Sequence, residues 1–339
     1  MQKSLFDEEE RMEALERMND TLERLNEVIE WETFRRALTR ASRKEDSGKG
    51  GRPAYDVVMM FKVLVLQRLY NLSDDQMEYQ INDRLSFMKF LGLNLEDKVP
   101  DAKTIWKFRN DLVEAELDRE LFWLFDCQLE KQGLITHTGT IVDATFVEVP
   151  KQRNHHGENK QIKNGKIPED WQKPENENKL AQKDTDARWT KKNNETYFGY
   201  KDHVKCDADS KLITNYEVTP ANVHDSNECT DMLNCNDKNF YADSAYSSEE
   251  IAKNLPKYCK NHICEKGTKN HPLTEEQKKN NREKSRIRCR IEHIFGFMTN
   301  SMNGITVRSI GIKRAKFNIG LMNLVYNFCR YRFLKKALV

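Results

Sequence analysis

Residues 138–149 read Thr-Gly-Thr-Ile-Val-Asp-Ala-Thr-Phe-Val-Glu-Val, and this stretch decides the fold class. β-Branched and apolar residues alternate along it, the pattern of a strand. Inside its apolar part, Ile141-Val142-Asp143-Ala144, stands one carboxylate. An acid in such a place costs stability unless it is paired or binds a metal. A second apolar run, Tyr241-Ala242-Asp243-Ser244-Ala245-Tyr246, ends in Asp243 in the same manner. Taken one at a time, each acid could also be a strand-end cap or half of an ion pair.

Working outward, strand patterns recur at 197–206, 212–218, 240–242 and 261–264, with helical segments near 226–233 and 248–255. A long basic helix is expected from about Thr274 through Asn300, and another over 315–334. The order β-β-β-α-β-α-β-α predicts an α/β layer of ribonuclease H-like type, although other mixed folds share it. Residues 151–196 lose periodicity and fill with Lys, Asn, Gln and Glu, so they read as a long polar insertion. Cys259, His262 and Cys264 crowd together but fall short of a four-ligand zinc set, and read as a strand with its turn.

Upstream, residues 1–136 read as a helical domain, leaving 137–339 for the α/β domain. Leu15, Met18, Leu22, Leu25 and Ile29 form a short heptad stripe, and residues 48–53 read as a basic linker. An apolar helix is expected over 55–70. Ser73-Asp-Asp-Gln76 has capping-box spacing, and Asp101 to Thr104 opens a helix carrying Ile105, Trp106, Phe108 and Arg109. Such short helices suit either a helix-turn-helix-like DNA reader or a scaffold that reads no bases.

No apolar run is long enough to span a bilayer, and the N-terminus lacks a secretory apolar core, which predicts a cytoplasmic protein. Eight cysteines follow no disulfide framework. The net charge is only +2, but its distribution is uneven. Residues 1–31 hold about ten acids against four bases; residues 278–339 hold about fifteen bases against two acids, Glu283 and Glu292. That polarity is expected of a face that meets nucleic acid.

An acid kept in so basic a stretch needs a reason. Ile287, Ile291, Ile294 and Met298 form an apolar helical stripe, and Ser285, Arg288, Glu292 and Thr299 form a second beside it. His293 points about 100° away from Glu292. Converging carboxylates from different elements are what phosphoryl transfer on DNA requires, because they hold divalent ions through hard oxygen ligands. The plain alternative is an Arg288–Glu292 surface pair, which is common and weak. Asp184, Asp186, Asp202, Asp207, Asp225 and His203 are further polar candidates whose default is a turn-capping or solvated role.

Three segments resemble those of DDE transposases, in particular the insertion sequence 5 family: IVDATFVEVP (141–150), FYADSAYSSEE (240–250) and RCRIEHIFGFM (288–298). The family's glutamate helix carries Tyr, two residues, Arg, three residues, Glu, six residues, Lys. This chain matches at Arg288 and Glu292, with Ser285 and Thr299 in place of the tyrosine and lysine. Further similarity runs through 69–93, 100–112, 182–213 and 318–331, covering nearly the whole chain.

The resemblance implies a ribonuclease H-like catalytic domain with a helical N-terminal DNA-binding domain. It implies Asp143, Asp243 and Glu292 as metal ligands with Arg288 beside them, using two Mg²⁺ ions or Mn²⁺ as substitute. It implies cleavage at inverted-repeat ends and strand transfer into target double-stranded DNA by a homodimer or higher oligomer, in the nucleoid of a bacterial cytoplasm. The expected DNA contacts are Arg188, Trp189, Lys191, Lys192, Lys201, Arg286, Arg290, Arg308, Lys313 and Arg314. Trp189 followed by Lys191 and Lys192 could stack on a terminal base or sit in the core. Two other functions keep the same sequence features: a domesticated, inactive transposase acting as a DNA-binding regulator, and a nuclease that cuts without joining.

Overall fold

The computed structural model describes residues 20–42, 54–192, 194–268 and 270–338, with Glu13, Ala14 and Arg17 before them. Leu15, Met18 and the 48–53 linker lie outside the described residues; Leu22, Leu25 and Ile29 of the heptad stripe are buried. The chain folds as two units. One takes in the described residues up to Phe125 together with Leu324 onward, and the other spans Asp126–Asn323. The sequence pattern places a single break at 136/137.

The first unit is all helical. Helix Val57–Leu69 is apolar on every side and buried almost throughout, with Asp56 capping its first turn through Val58 N and Met59 N. Helix Asp74–Asp83 opens on the capping box that the Ser73–Gln76 spacing predicts, and Asp101 caps Ala102–Glu114 through Thr104 N at 2.7 Å. Inside this unit Arg109 grips Asp74 with two hydrogen bonds of 2.6 and 2.8 Å. The last residues of the chain belong here because their aromatics do. The Phe328 ring lies 5.4, 5.9 and 4.7 Å from Trp31, Phe34 and Phe125.

The second unit is built on a six-stranded sheet in the order β2-β3-β1-β5-β6, with β4 also paired to β3. The strands are β1 (Thr140–Glu148), β2 (Arg188–Lys192), β3 (Glu195–Asp207), β4 (Ile213–Pro220), β5 (Asn239–Tyr241) and β6 (Lys260–Asn261). β1 runs antiparallel to β3 and parallel to β5, and β5 runs parallel to β6. An antiparallel meander continued by parallel strands, with helices packed on it, fits a ribonuclease H-like fold. One face carries a core of Val142, Cys229, Met232, Phe240, Ala242, Tyr246, Ile251 and Ile263. A fully buried Lys205–Asp237 ion pair, 2.7 Å apart, and the Thr140 hydroxyl on Asp237 tie β3 and β1 to the segment before β5. Removing either charge would strand the other in the interior.

The 151–196 stretch is folded, contrary to the reading of an insertion without structure. It holds helices His156–Lys163 and Glu177–Ala181 around Trp171, whose indole N–H donates to Glu158 at 2.8 Å. Its end supplies β2, which pairs with β3 from Arg188 opposite Gly199 to Lys192 opposite Glu195. The long basic helix is also interrupted. Glu275–Arg288 passes through a 3-10 turn, Cys289–Ile291, into Glu292–Asn300.

Gly199 is where β3 passes from β2 to β4. Its φ is +148°, and a Cβ there would lie 2.2 Å from the Val147 carbonyl oxygen. No other residue fits without moving β1. Gly199→Ala should destabilise the second unit by about 2 kcal/mol or more, read as a lower denaturant midpoint; an unchanged midpoint would show that β1 yields freely.

Candidate active site

Asp143 sits in the middle of β1, opposite Val204 of β3, with its carboxylate half-buried. Burial pushes its pKa up to about 6; the Asp243 charge adds to the rise, while a hydrogen bond from Ala144 N and the charges of Arg288 and Lys192 oppose it. Asp243 stands just past β5 and caps the turn Ser244–Tyr246 through Ala245 N at 2.7 Å. Because β5 lies parallel beside β1, the chain ends of the two strands bring both acids to one edge. The tightened turn before Glu292 keeps its dihedrals helical, so Arg288 and Glu292 still meet one turn apart. Arg288 then joins the site: Nη1 donates to Asp143 at 3.2 Å and Nη2 to Glu292 at 3.0 Å.

The three acids read from the sequence are thus linked, but not as a ready-made cage. Among the described residues no three acidic, histidine or cysteine side chains form a group that could hold one ion together. Carboxylates placed side by side repel, and the guanidinium of Arg288 supplies counter-charge between Asp143 and Glu292. The donor set is all oxygen, and Asp143 and Asp243 raise each other's cost of ionisation; both features fit a hard divalent cation. Tyr246 is buried beneath the pair, and its hydroxyl, which feels both carboxylates, is pushed well above its ordinary pKa, mainly by burial.

With this geometry in view, the family description "Transposase DDE domain" matches residues 135–328, and "Transposase domain (DUF772)" matches residues 10–111. The chain belongs to the DDE transposases. It is an enzyme that cleaves and transfers DNA strands, and its chemistry depends on divalent metal. The structure is also similar to that titled piggyBac transposase synaptic complex with hairpin DNA, at 12% identity and a TM-score of 0.44, covering 93% of this chain and 74% of that one. Among the described residues no helix is long and apolar enough to cross a membrane.

The transposase places its expected DNA contacts unevenly. Lys191, Lys192, Arg286, Arg308, Lys313 and Arg314 are exposed. Lys192 extends over the Phe146 ring at 5.7 Å, and Phe146 stacks on Tyr197 at 4.3 Å, a platform beside Asp143 that no sequence pattern announces. Trp189 is 42% exposed and tilts against Phe198, which removes the core alternative. Lys201 is a correction. It is buried, and its ammonium donates to Val223 O at 2.6 Å and to Asp225 at 2.7 Å, so a phosphate would have to break that pair. Arg188 Nη1 is committed to the Thr185 and Ala187 carbonyls, and Arg290 to Ala208 O and Asp209.

The remaining polar candidates take structural roles. Asp184 is buried and accepts from Asp186 N, Ala187 N, the Tyr200 hydroxyl and Gly311 N. Asp207 accepts from Thr136, His137 and Ser210. His203 is buried on Thr219, and burial lowers its pKa to about 4, which leaves it neutral at physiological pH. His262 stacks on Tyr241 and meets Asn239 at 2.9 Å, and Cys264 faces Ser285, so the Cys-His-Cys cluster is packing.

Proposed function

We infer that the enzyme mobilises an element of the insertion sequence 5 kind, cutting at its inverted-repeat ends and joining the freed strand to target DNA. Asp143, Asp243 and Glu292 would hold two Mg²⁺ ions, or Mn²⁺ in their place, which when bound lower the pKa of the attacking hydroxyl and stabilise the leaving oxygen. The observation that carries this reading is the convergence on one edge of the sheet. A half-buried Asp143 is raised to about 6 beside Asp243, and Arg288 joins it to Glu292. Arg288 orients both carboxylates and, released from one of them, can reach a phosphate oxygen. The stacked Phe146–Tyr197 pair and Lys192 form the rim on which the strand would lie.

Three outward residues of helix Ala102–Glu114, Lys103, Trp106 and Lys107, support DNA reading by the N-terminal helical unit, since Ile105 and Phe108 are buried and Arg109 is paired. The reaction joins two element ends, which fits action as a homodimer or higher oligomer on DNA in the nucleoid of the cytoplasm. The test is strand transfer with purified protein and a labelled duplex carrying the inverted repeats that flank the gene. Joined product with Mg²⁺ is expected. Nicked ends that never join would leave a nuclease, and binding without nicking a regulator.

Phosphate contacts should make affinity fall steeply with salt. Replacing both Lys191 and Lys192 with Ala should flatten the log–log salt slope by roughly one to two units. An unchanged slope would place the DNA track elsewhere.

A further inference from the structure

A cavity of about 590 Å³ opens in the second unit between helix His156–Lys163 and strands β2 and β3. Ile162, Ala187 and Phe198 are buried in its floor, and Trp189 forms a wall that is 42% exposed. Such exposure leaves a large ring face without protein against it. Lys160 and Lys163 stand exposed at the mouth, and Arg188 lines it. The acid of the lining, Asp184, is buried under four kinds of donor, so its charge is already answered from within the protein. The cavity therefore combines a flat aromatic wall, an apolar floor and a positive mouth.

That combination selects a planar ring carrying a negative charge. We propose that this cavity receives a single unstacked nucleobase of the bound DNA strand, stacked on Trp189, with its phosphate held by Lys160 and Lys163. The proposal rests on the reading that the enzyme binds element ends. The volume admits a nucleotide but not a base pair, so the occupant must leave the duplex stack, which is easiest at a strand end. Base–aromatic stacking tolerates any base because each has a π-face. The amide groups of Asn159 and Asn222, which also line the cavity, are donors and acceptors that a base edge can use. The site lies in the stretch whose sequence has the look of a featureless polar insertion.

The experiment places 2-aminopurine, one position at a time, in the terminal nucleotides of an element-end duplex, at protein concentrations that gel shift shows to be saturating. A severalfold rise in its fluorescence is expected at one or two adjacent positions, where the probe leaves the base stack. Trp189→Ala should abolish the rise with the complex still formed, Trp189→Phe should keep most of it, and Lys160→Ala with Lys163→Ala should weaken it. A rise undiminished in Trp189→Ala, or a saturated complex with no rise at any position, overturns the proposal while leaving the transposase reading intact. If the wild-type protein fails to bind the end duplex at all, the end-binding reading itself is overturned, and this inference goes with it.

Discussion

Asp143→Asn should lose metal-dependent nicking by about 10³-fold or more and, in metal-free buffer at neutral pH, should be more stable than the wild type. The two effects share one cause. The folded protein holds this carboxyl at about 6 against an ordinary 3.8, through burial and the Asp243 charge. A carboxyl whose pKa is raised by folding binds its proton more tightly in the folded state. Its contribution is therefore full below about 3.8 and is lost as pH rises through about 6. Above that, the ionised group costs up to about 3 kcal/mol. Asparagine removes the charge and can still accept from Ala144 N, although its weaker pull on Arg288 trims the gain. The variant should melt several degrees higher at pH 7.5, and the advantage should vanish by about pH 4. Asp243→Asn should also abolish nicking. Melting curves across pH, single-turnover nicking and gel shift on the same samples decide the matter. Nicking near the wild-type rate would remove either residue from the site, and a stability difference independent of pH would refute the electrostatic account of Asp143.

The two aspartates were legible because each interrupts a pattern that is otherwise apolar, and a pattern with a period of two allows no accidental acid in its buried row. The strands β1, β3, β4 and β5 follow the same logic and fall where the alternation puts them. β2 does not, because Arg188-Trp-Thr-Lys-Lys192 is an edge segment whose exposed residues carry no apolar alternation. Trp171 organises its neighbourhood alone, and a lone aromatic among polar residues has no period to detect. Lys205 looks like a surface residue between Val204 and Cys206, yet it is buried on Asp237. Only the fold reveals such a partner. The reach of Arg288 to Asp143, across 145 residues of sequence, is of the same kind. So is the return of Phe328 to the aromatic core of the first unit: its helix reads as helix from local pattern, but the core it joins is chosen by shape.

The helix that carries Glu292 gives the second large effect. Glu292 has a side chain 61% exposed, and an exposed i,i+4 partner of Arg288 contributes at most about 1 kcal/mol, so a purely structural pair could be broken from either side with little effect on activity. A site on this helix face demands asymmetry instead. Glu292→Gln should lose nicking by about 10²-fold or more with its melting temperature unchanged, because so exposed a carboxylate carries little of the fold. Arg288→Ala should slow nicking by about tenfold or more and should also move the acid limb of the pH–rate profile. Arg288 holds the Asp143 pKa down against burial and Asp243, so its removal lets that pKa rise, and the fall in rate on acidification should begin at higher pH. Arg288→Lys should restore part of the profile, since a cation in that place is what Asp143 feels. Thr299→Lys, which completes the family's spacing on the same face, should tighten end binding if that face meets DNA. Near wild-type nicking in both Glu292→Gln and Arg288→Ala, with an unmoved acid limb, would leave a surface ion pair as the whole explanation of the acid in this basic helix.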